Sequence, residues 1–180
     1  MAETAAAGVI KRRLHARLVK KGYNNFTGYG YFIMNVAAGT RPMPNNPSPT
    51  FIKNLITAKA RFEAMKRHAK KFPRTVPTLY RGMAAANPKA IAMLANFMTR
   101  PNKSHHYPGF LSFSTNRNVA NRFKNFNGYV LIVNRGTYPA IRHNTYTPAA
   151  NKNEKEVTLA PGTYTLVRQT NNGLHVKYSP

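Results

Sequence analysis

The amino-acid sequence predicts an α+β fold, with helices mainly in the N-terminal half and strands in the C-terminal half. Apolar residues recur at helical spacing in the stretch that follows Pro49, whereas short alternating stretches dominate from Gly128 onward. Runs of helices followed by runs of strands are typical of α+β domains. A chain of 180 residues with 42% hydrophobic residues is long enough to bury one substantial core.

Helix signals are strongest just after the Pro-rich loop over residues 41–49. Ser48-Pro49 is an N-cap followed by a first-turn proline, and the helical pattern then continues until Pro73 stops it. Asn87-Pro88 opens another helix that ends before Pro101. The predicted helices cover residues 27–38 (closed by Gly39), 49–72, 89–99 and 118–126.

Strand signals are short and alternate in polarity. Asn171-Asn172-Gly173 is a good hairpin turn between two of these stretches. The predicted strands cover residues 78–82, 110–114, 129–133, 156–159, 163–167 and 174–178.

Charge is the most unusual property of the composition. Lys and Arg number 28 against four acidic residues, which gives a formal net charge of +24, and Asp is absent. Such a surface attracts polyanions, so the predicted partners are an acidic protein, a nucleoprotein acceptor or nucleic acid itself, bound without specificity. The basic residues are scattered along the sequence, and no groove-reading helix stands out.

Several site classes are excluded or disfavoured by residue content. The chain has no Cys, so it forms no disulfide and no Cys-based zinc site. His105-His106 lacks a third ligand at a recognisable spacing, so no metal is predicted. No apolar stretch is long enough to span a membrane and no secretory signal is evident, so we expect a cytoplasmic location.

Residues 1–24 are predicted to be a basic N-terminal segment, either a mobile arm or a solvated helix, and residues 25–180 a single domain. The basic stretch over 9–21 also fits a targeting peptide, a nuclear signal or a nucleic-acid arm. These alternatives stay open at the level of sequence.

The two glutamates of Glu154-Lys155-Glu156 form the most informative motif. In a chain with only four acids, a spaced pair of carboxylates points to chemistry, although two solvated glutamates on an edge strand would have the same spacing. If the segment is a strand, both carboxylates lie on one face and Lys155 on the other.

Two further motifs precede this pair. Tyr80-Arg81-Gly82 ends a predicted strand with a guanidinium that could hold a phosphate, and Ser112-Phe113-Ser114 places two hydroxyls on one strand face. A Ser nucleophile with a His–Asp partnership is excluded because there is no Asp.

The order Arg, Ser-x-Ser, Glu-x-Glu resembles the Arg–Ser–Glu class of mono-ADP-ribosyltransferases. Leu79-Tyr80-Arg81-Gly82, Phe110 to Ser114 with the following helix, and Glu154 to Thr163 are similar to three motifs of that family. Phe26-Thr27-Gly28 and Ile33-Met34-Asn35 resemble the N-terminal helix of its exoenzyme-like branch. The sequence departs from the family where Phe113 replaces Thr and where Phe126 occupies an often basic position.

This resemblance implies an ADP-ribosyltransferase fold with a core of two packed β-sheets, and NAD as co-substrate without a metal. It implies that Glu156 is the catalytic carboxylate, that Ser112 orients it, and that Arg81 grips the NAD phosphates. NAD contacts are implied at Arg81, Gly82, Ser112, Ser114 and Phe123. Glu154 would select an arginine acceptor, and Tyr146 in the loop before it would contact that acceptor.

Three functions remain compatible with the sequence. The first is an NAD-dependent arginine ADP-ribosyltransferase acting on a protein in a nucleic-acid-containing complex, as phage or viral effectors do in host cytoplasm. The second is a non-catalytic basic module on the same fold that binds nucleic acid. The third is a transferase that modifies nucleic acid, against which Glu154 argues; NAD hydrolysis without an acceptor also stays open.

Overall fold

The computed structural model describes residues 14–22, 30–125, 127–142 and 155–180. The chain divides into two compact units, Met1–Lys71 and Phe72–Pro180. The sequence-based division into an N-terminal segment and one catalytic domain remains a prediction. Of the predicted segment, residues 14–22 are helical, and residues 1–13 and 23–24 lie outside the described part.

The N-terminal unit consists of helices in its described part. They are α1 (14–22), α2 (Tyr31–Ala37) and α3 (Pro49–Lys71). The predicted N-cap of α3 is confirmed, because Ser48 Oγ accepts a hydrogen bond of 3.1 Å from the Phe51 N–H. The predicted closure by Gly39 is also confirmed: this glycine has φ +71° directly after the C-cap of α2, where a side chain would be strained.

The C-terminal unit contains two helices and ten strands among its described residues. The helices are α4 (Pro88–Thr99) and α5 (Arg117–Lys124). The strands are β1 (Arg74–Val76), β2 (Leu79–Met83), β3 (Ser104–Tyr107), β4 (Leu111–Ser114), β5 (Tyr129–Val133), β6 (Gly136–Tyr138), β7 (Ala140–Arg142), β8 (Glu156–Leu159), β9 (Gly162–Thr170) and β10 (Gly173–Ser179).

Eight of these strands form one mixed sheet in the order β3-β9-β10-β5-β2-β4-β8-β7, and β1 pairs with β6 in a separate ribbon. The junction between β2 and β4 is narrow, because only Tyr80 and Ser114 are in register across it. This junction divides the sheet into a five-stranded and a three-stranded half. Phe113 of β4 stacks on Tyr164 of β9 with ring centroids 6.1 Å apart, so the halves pack face to face. The predicted α+β fold is confirmed. The two packed sheets expected from the resemblance are the two halves of one hydrogen-bonded, eight-stranded sheet.

The core lies between these halves and explains the phenylalanine in the Ser-x-Ser motif. Phe113 belongs to a buried cluster that includes Val157 and Leu159 from one half and Leu131 and Tyr164 from the other. A threonine would fill less of this space, so Phe113 contributes to packing rather than to the opposite, polar face.

Four strands, β1, β3, β6 and β7, were not expected from the sequence. Each has only three or four residues, and none shows a clear alternation of its own. They are extended because a partner provides hydrogen bonds: β3 pairs with β9 over four residues and β7 pairs with β8 over three. None of the described helices combines the length and apolarity needed to cross a membrane.

Candidate active site

The pairing of β4 with β8 gathers the polar residues of two separate motifs. Ser112 is in register with Thr158, and Ser114 with Glu156. Because side chains alternate along a strand, these four residues share one face while Phe113 and Val157 point into the core. The Ser-x-Ser motif and the second glutamate are therefore neighbours, an arrangement that fits what the family resemblance implies for Ser112 and Glu156.

Hydroxyl groups connect Ser112 to the carboxylate of Glu156. Thr158 Oγ1 donates to Glu156 Oε1 over 3.4 Å, and Ser112 Oγ lies 3.3 Å from Thr158 Oγ1. Because the single proton of Thr158 is directed at the carboxylate, Ser112 is the donor in the second contact. Ser112 thus reaches Glu156 through Thr158, a residue that the sequence did not single out.

Arg81 lies beside this polar face and contacts both halves of the sheet. It is part of β2, and its Nη1 donates to the backbone carbonyl of Ser112 in β4. Its Nε contacts Met83 Sδ at 3.3 Å. Because a guanidinium carries five N–H donors, two contacts leave it able to bind an anion while it braces the narrow β2–β4 junction.

A cleft of about 280 Å³ opens over these residues. Its walls come from β2, β4, β8, the turn before α4 and the inner side of α5. The cleft is lined by Tyr80, Arg81, Gly82, Ala84, Asn87, Ser112, Phe113, Ser114, Val119, Ala120, Phe123 and Glu156. Phe123 is the large apolar side chain at its margin, with 60% of its surface exposed.

Gly82 allows α5 to approach β2. A Cβ atom at this position would lie 2.0 Å from the carbonyl oxygen of Ala120 and 2.6 Å from the backbone nitrogen of Lys124. Both atoms belong to α5, so any side chain at Gly82 would displace the helix that carries Phe123. Gly82 therefore contributes to the cleft by allowing α5, which forms one of its walls, to pack against β2.

Solved structures with a similar architecture include the ADP-ribosyltransferases Vis and HopU1. Vis from Vibrio Splendidus, solved with agmatine, is 20% identical, covers 90% of this chain and 74% of its own, and has a TM-score of 0.59. Exoenzyme S from Pseudomonas aeruginosa, solved with human 14-3-3 protein beta and bound to Carba-NAD, is 16% identical with coverages of 91% and 72% and a TM-score of 0.55. The catalytic domain of VahC from Aeromonas hydrophila is 16% identical with coverages of 90% and 98% and a TM-score of 0.58. No protein-family model matches the sequence, and no curated protein matches it.

The chain has the ADP-ribosyltransferase fold. At these identities the likeness establishes the fold alone, so the chemistry must be argued from the residues of the cleft. Of the predicted site residues, Arg81, Gly82, Ser112, Ser114, Phe123 and Glu156 all line that cleft. Their roles toward NAD remain predictions.

Two predicted residues lie outside the described part of the chain. Glu154 and Tyr146 were expected to face the acceptor, and both belong to residues 143–154, which the structure does not describe. Phe126, noted as a departure from the family, is also outside it. The described chain resumes at Lys155, whose φ is +46° and whose carbonyl accepts from the Thr115 N–H over 3.2 Å. Such a conformation is uncommon for a residue with a side chain, and here it directly precedes Glu156.

The two adjacent histidines of β3, His105 and His106, contact polar side chains. His105 Nδ1 lies 2.6 Å from Asn96 Nδ2, and His106 Nδ1 lies 3.3 Å from Thr163 Oγ1. Desolvation by burial, followed by the charge of Arg100, lowers the pKa of His105 and favours its neutral form. Within the described ranges no three His, Cys, Asp or Glu side chains are grouped so that they could hold a metal ion.

Proposed function

We propose that this chain is an NAD-dependent mono-ADP-ribosyltransferase that acts on arginine. The observation that supports this function is the convergence of Arg81, Ser112, Glu156 and the exposed ring of Phe123 on one cleft. These residues come from three sequence motifs and combine a phosphate ligand, a carboxylate and an aromatic surface in a fold used by known transferases.

In the proposed reaction, the bond between the nicotinamide nitrogen and the ribose carbon breaks, and both bonding electrons leave with nicotinamide. Positive charge develops on the ribose as this bond lengthens. The carboxylate of Glu156 would stabilise that charge and accept a hydrogen bond from a ribose hydroxyl. Such an interaction is stronger in the transition state than in the ground state, so it accelerates the chemical step.

The other cleft residues bind and orient. Arg81 holds the pyrophosphate through the donors that its contacts with Ser112 and Met83 do not use. Phe123 offers its exposed ring to the nicotinamide. Ser112 acts on Glu156 through Thr158 and keeps the carboxylate directed into the cleft.

For the acceptor, we propose a guanidinium group. Glu154 precedes Glu156 by two residues, and a carboxylate there would bind a guanidinium in a fork and take the proton lost as its nitrogen attacks the ribose carbon. The structure of Vis with agmatine, itself a guanidine, provides a precedent within the fold. Tyr146 would contact the same acceptor.

The biological setting belongs to the same proposal. A net charge of +24 would concentrate the enzyme at a polyanionic assembly, so the acceptor arginine would belong to a protein in a nucleic-acid-containing complex. A small, acid-poor transferase of this kind fits a phage or viral effector in the host cytoplasm.

Labelled NAD incubated with the protein and a bacterial lysate tests the function. We expect release of nicotinamide and transfer of label to protein, and we expect Glu156→Gln to lower the rate about 100-fold or more. For nicotinamide release, Glu63→Gln is the matched control, because it makes the same chemical change on α3, outside the residues that line the cleft. Absence of both nicotinamide release and transfer by the wild type would leave the non-catalytic binding module as the correct function.

Glu154→Gln tests the acceptor. We expect transfer to arginine or agmatine to be lost while nicotinamide release persists, because only the acceptor-facing carboxylate is changed. Transfer that is unaffected by Glu154→Gln, or label found on nucleic acid after protease digestion, would contradict the arginine assignment.

A further inference from the structure

Helix α3 carries a basic array on its exposed side. Six cations lie there, and the one carboxylate among them, Glu63, lies 3.9 Å from Lys66. Lys66 is partly exposed and the other five are exposed. The basic array consists of Lys53, Lys59, Lys66, Arg67, Lys70 and Lys71.

Helical geometry collects these scattered residues into two adjacent lines. At 100° per residue, Lys59, Lys66 and Lys70 fall within about 40° of one another around the helix axis. The other three members form a second line, and together the lines cover about 140° of the circumference. Between Lys53 and Lys71 the array extends about 27 Å along the helix at 1.5 Å per residue. The periodicity of α3 therefore aligns basic residues that are apart in sequence.

Helix stability explains only part of the array. Cations near a C-terminus favour the helix dipole, which explains Lys70 and Lys71. Lys53 is the fifth residue of α3 and lies far from the C-terminus, so the dipole does not explain it. Pairs such as Lys66 and Lys70, four residues apart, repel each other and destabilise the helix slightly. A surface that keeps such repulsion is suited to a ligand that relieves it.

The opposite side of α3 argues against a membrane surface as the ligand of the array. Its apolar residues, including Leu55, Phe62 and Met65, are buried in the protein. A membrane-surface helix would need this apolar face for insertion, and the large apolar side chains of α3 that are exposed number only two, Ile52 and Ile56, both within the arc of the array. What remains is a long row of flexible ammonium groups, which matches an extended chain of negative charges.

We propose that the basic array of α3 binds the phosphate backbone of nucleic acid. The contacts are electrostatic and independent of base sequence, because five of the six cations are lysines, which act as point charges on flexible stems. The site is separate from the NAD chemistry and would hold the protein on a nucleic-acid-containing assembly. It does not depend on whether the cleft catalyses transfer.

Equilibrium binding of a short fluorescein-labelled RNA of mixed sequence, and of a duplex DNA, tests this site in the full-length protein. Each bound phosphate contributes about 0.7 (single strand) to 0.9 (duplex) to the slope of log K against log salt. We expect the triple variant K59Q/K66Q/K70Q to bind at least 10-fold more weakly at about 50 mM salt and to lose about 2 units of that slope.

The matched control is R135Q/R168Q/K177Q, which removes the same charge from three exposed positions of the C-terminal unit. It should bind nearly as the wild type does, and so should Glu156→Gln. Circular dichroism checks that both triple variants are folded.

Three results would overturn the proposal. The first is an equal loss of nucleic-acid affinity in the two triple variants, which would indicate diffuse charge. The second is that the wild type binds neither the RNA nor the DNA. The third is that poly-glutamate or anionic phospholipid vesicles bind through the array while neither nucleic acid binds.

Discussion

Two hydroxyl groups form a chain that ends at the carboxylate of Glu156. This carboxylate accepts from Thr158, which is completely buried, and Ser112 follows Thr158 in the chain of hydroxyls. A buried hydroxyl without a partner is costly, so this arrangement is held in place by the need of each group for its neighbour. At the residue scale, two hydroxyls therefore help to set the direction of the carboxylate.

Thr158→Val tests this positioning. The substitution keeps the shape of the side chain and removes its hydroxyl, so the fold should be retained while the carboxylate loses its restraint. We expect kcat for nicotinamide release to fall by up to about 10-fold with little change in KM for NAD, since one supporting hydrogen bond is worth about 1.4 kcal/mol or less. Steady-state kinetics on the purified variant checks this.

Thr137→Val is the control, because it removes an exposed hydroxyl that contacts Thr75 at 2.9 Å in the separate β1–β6 ribbon. If both valine variants behave alike, or if Thr158→Val alters only the melting temperature, Thr158 has a packing role alone.

Helix α5 is the element on which the cleft depends most. It lies against β2 at Gly82, and its N-terminal residue Arg117 donates to the carbonyl and side chain of Asn172 in the β9–β10 turn at 2.9 and 3.1 Å. The helix is therefore fixed at both a strand and a hairpin. Because Phe123 is on this helix, small shifts of α5 change the width of the cleft.

Gly82→Ala tests the dependence on close packing. The new methyl group would overlap the Ala120 carbonyl, and relief requires a shift of α5. We expect the free energy of unfolding to fall by about 1–3 kcal/mol. We also expect NAD to bind more weakly, because the shift of α5 moves Phe123 at the margin of the cleft. Denaturant unfolding and calorimetric NAD titration measure the two effects.

Gly39→Ala separates steric overlap from backbone strain. Gly39 has φ +71° but open space around the position of a Cβ atom, so alanine there adds strain without a clash. We expect it to cost roughly 1 kcal/mol and to leave NAD affinity unchanged. Equal effects on NAD affinity in the two variants would mean that Gly82 does not control the position of α5.

At the scale of the molecule, charge opposes folding. With 28 basic residues and four acids, the folded chain concentrates like charges that the unfolded chain holds further apart. Interactions beyond a Debye length are screened, and this length falls from about 30 Å to about 8 Å between 0.01 M and 0.15 M salt.

The melting temperature should therefore rise with sodium chloride over this range. We expect about 2–4 °C for each kcal/mol of repulsion that salt removes. The melting temperature of the variant K59Q/K66Q/K70Q should rise less with salt, because three positive charges have already been removed. Scanning calorimetry at several salt concentrations checks both, and a melting temperature that falls with salt would contradict this account.

Local chemistry explains which elements could be predicted. The N-caps at Ser48 and Asn87, the stops at Pro73 and Pro101 and the hairpin at Asn172-Gly173 act over a few residues, and the elements they bound are present in the structure. The short strands β1, β3, β6 and β7 could not be predicted, because their extended conformation comes from partners distant in sequence.

The sequence by itself determined the motifs and their order, because residue types and spacings are present before folding. It also determined the alternation that places Ser112, Ser114 and Glu156 on polar faces of their strands. Only the tertiary structure decided that these faces meet, that Thr158 mediates between Ser112 and Glu156, and that Gly82 admits α5. The reason is physical: register and close approach depend on pairings across distant parts of the chain, which no local pattern encodes.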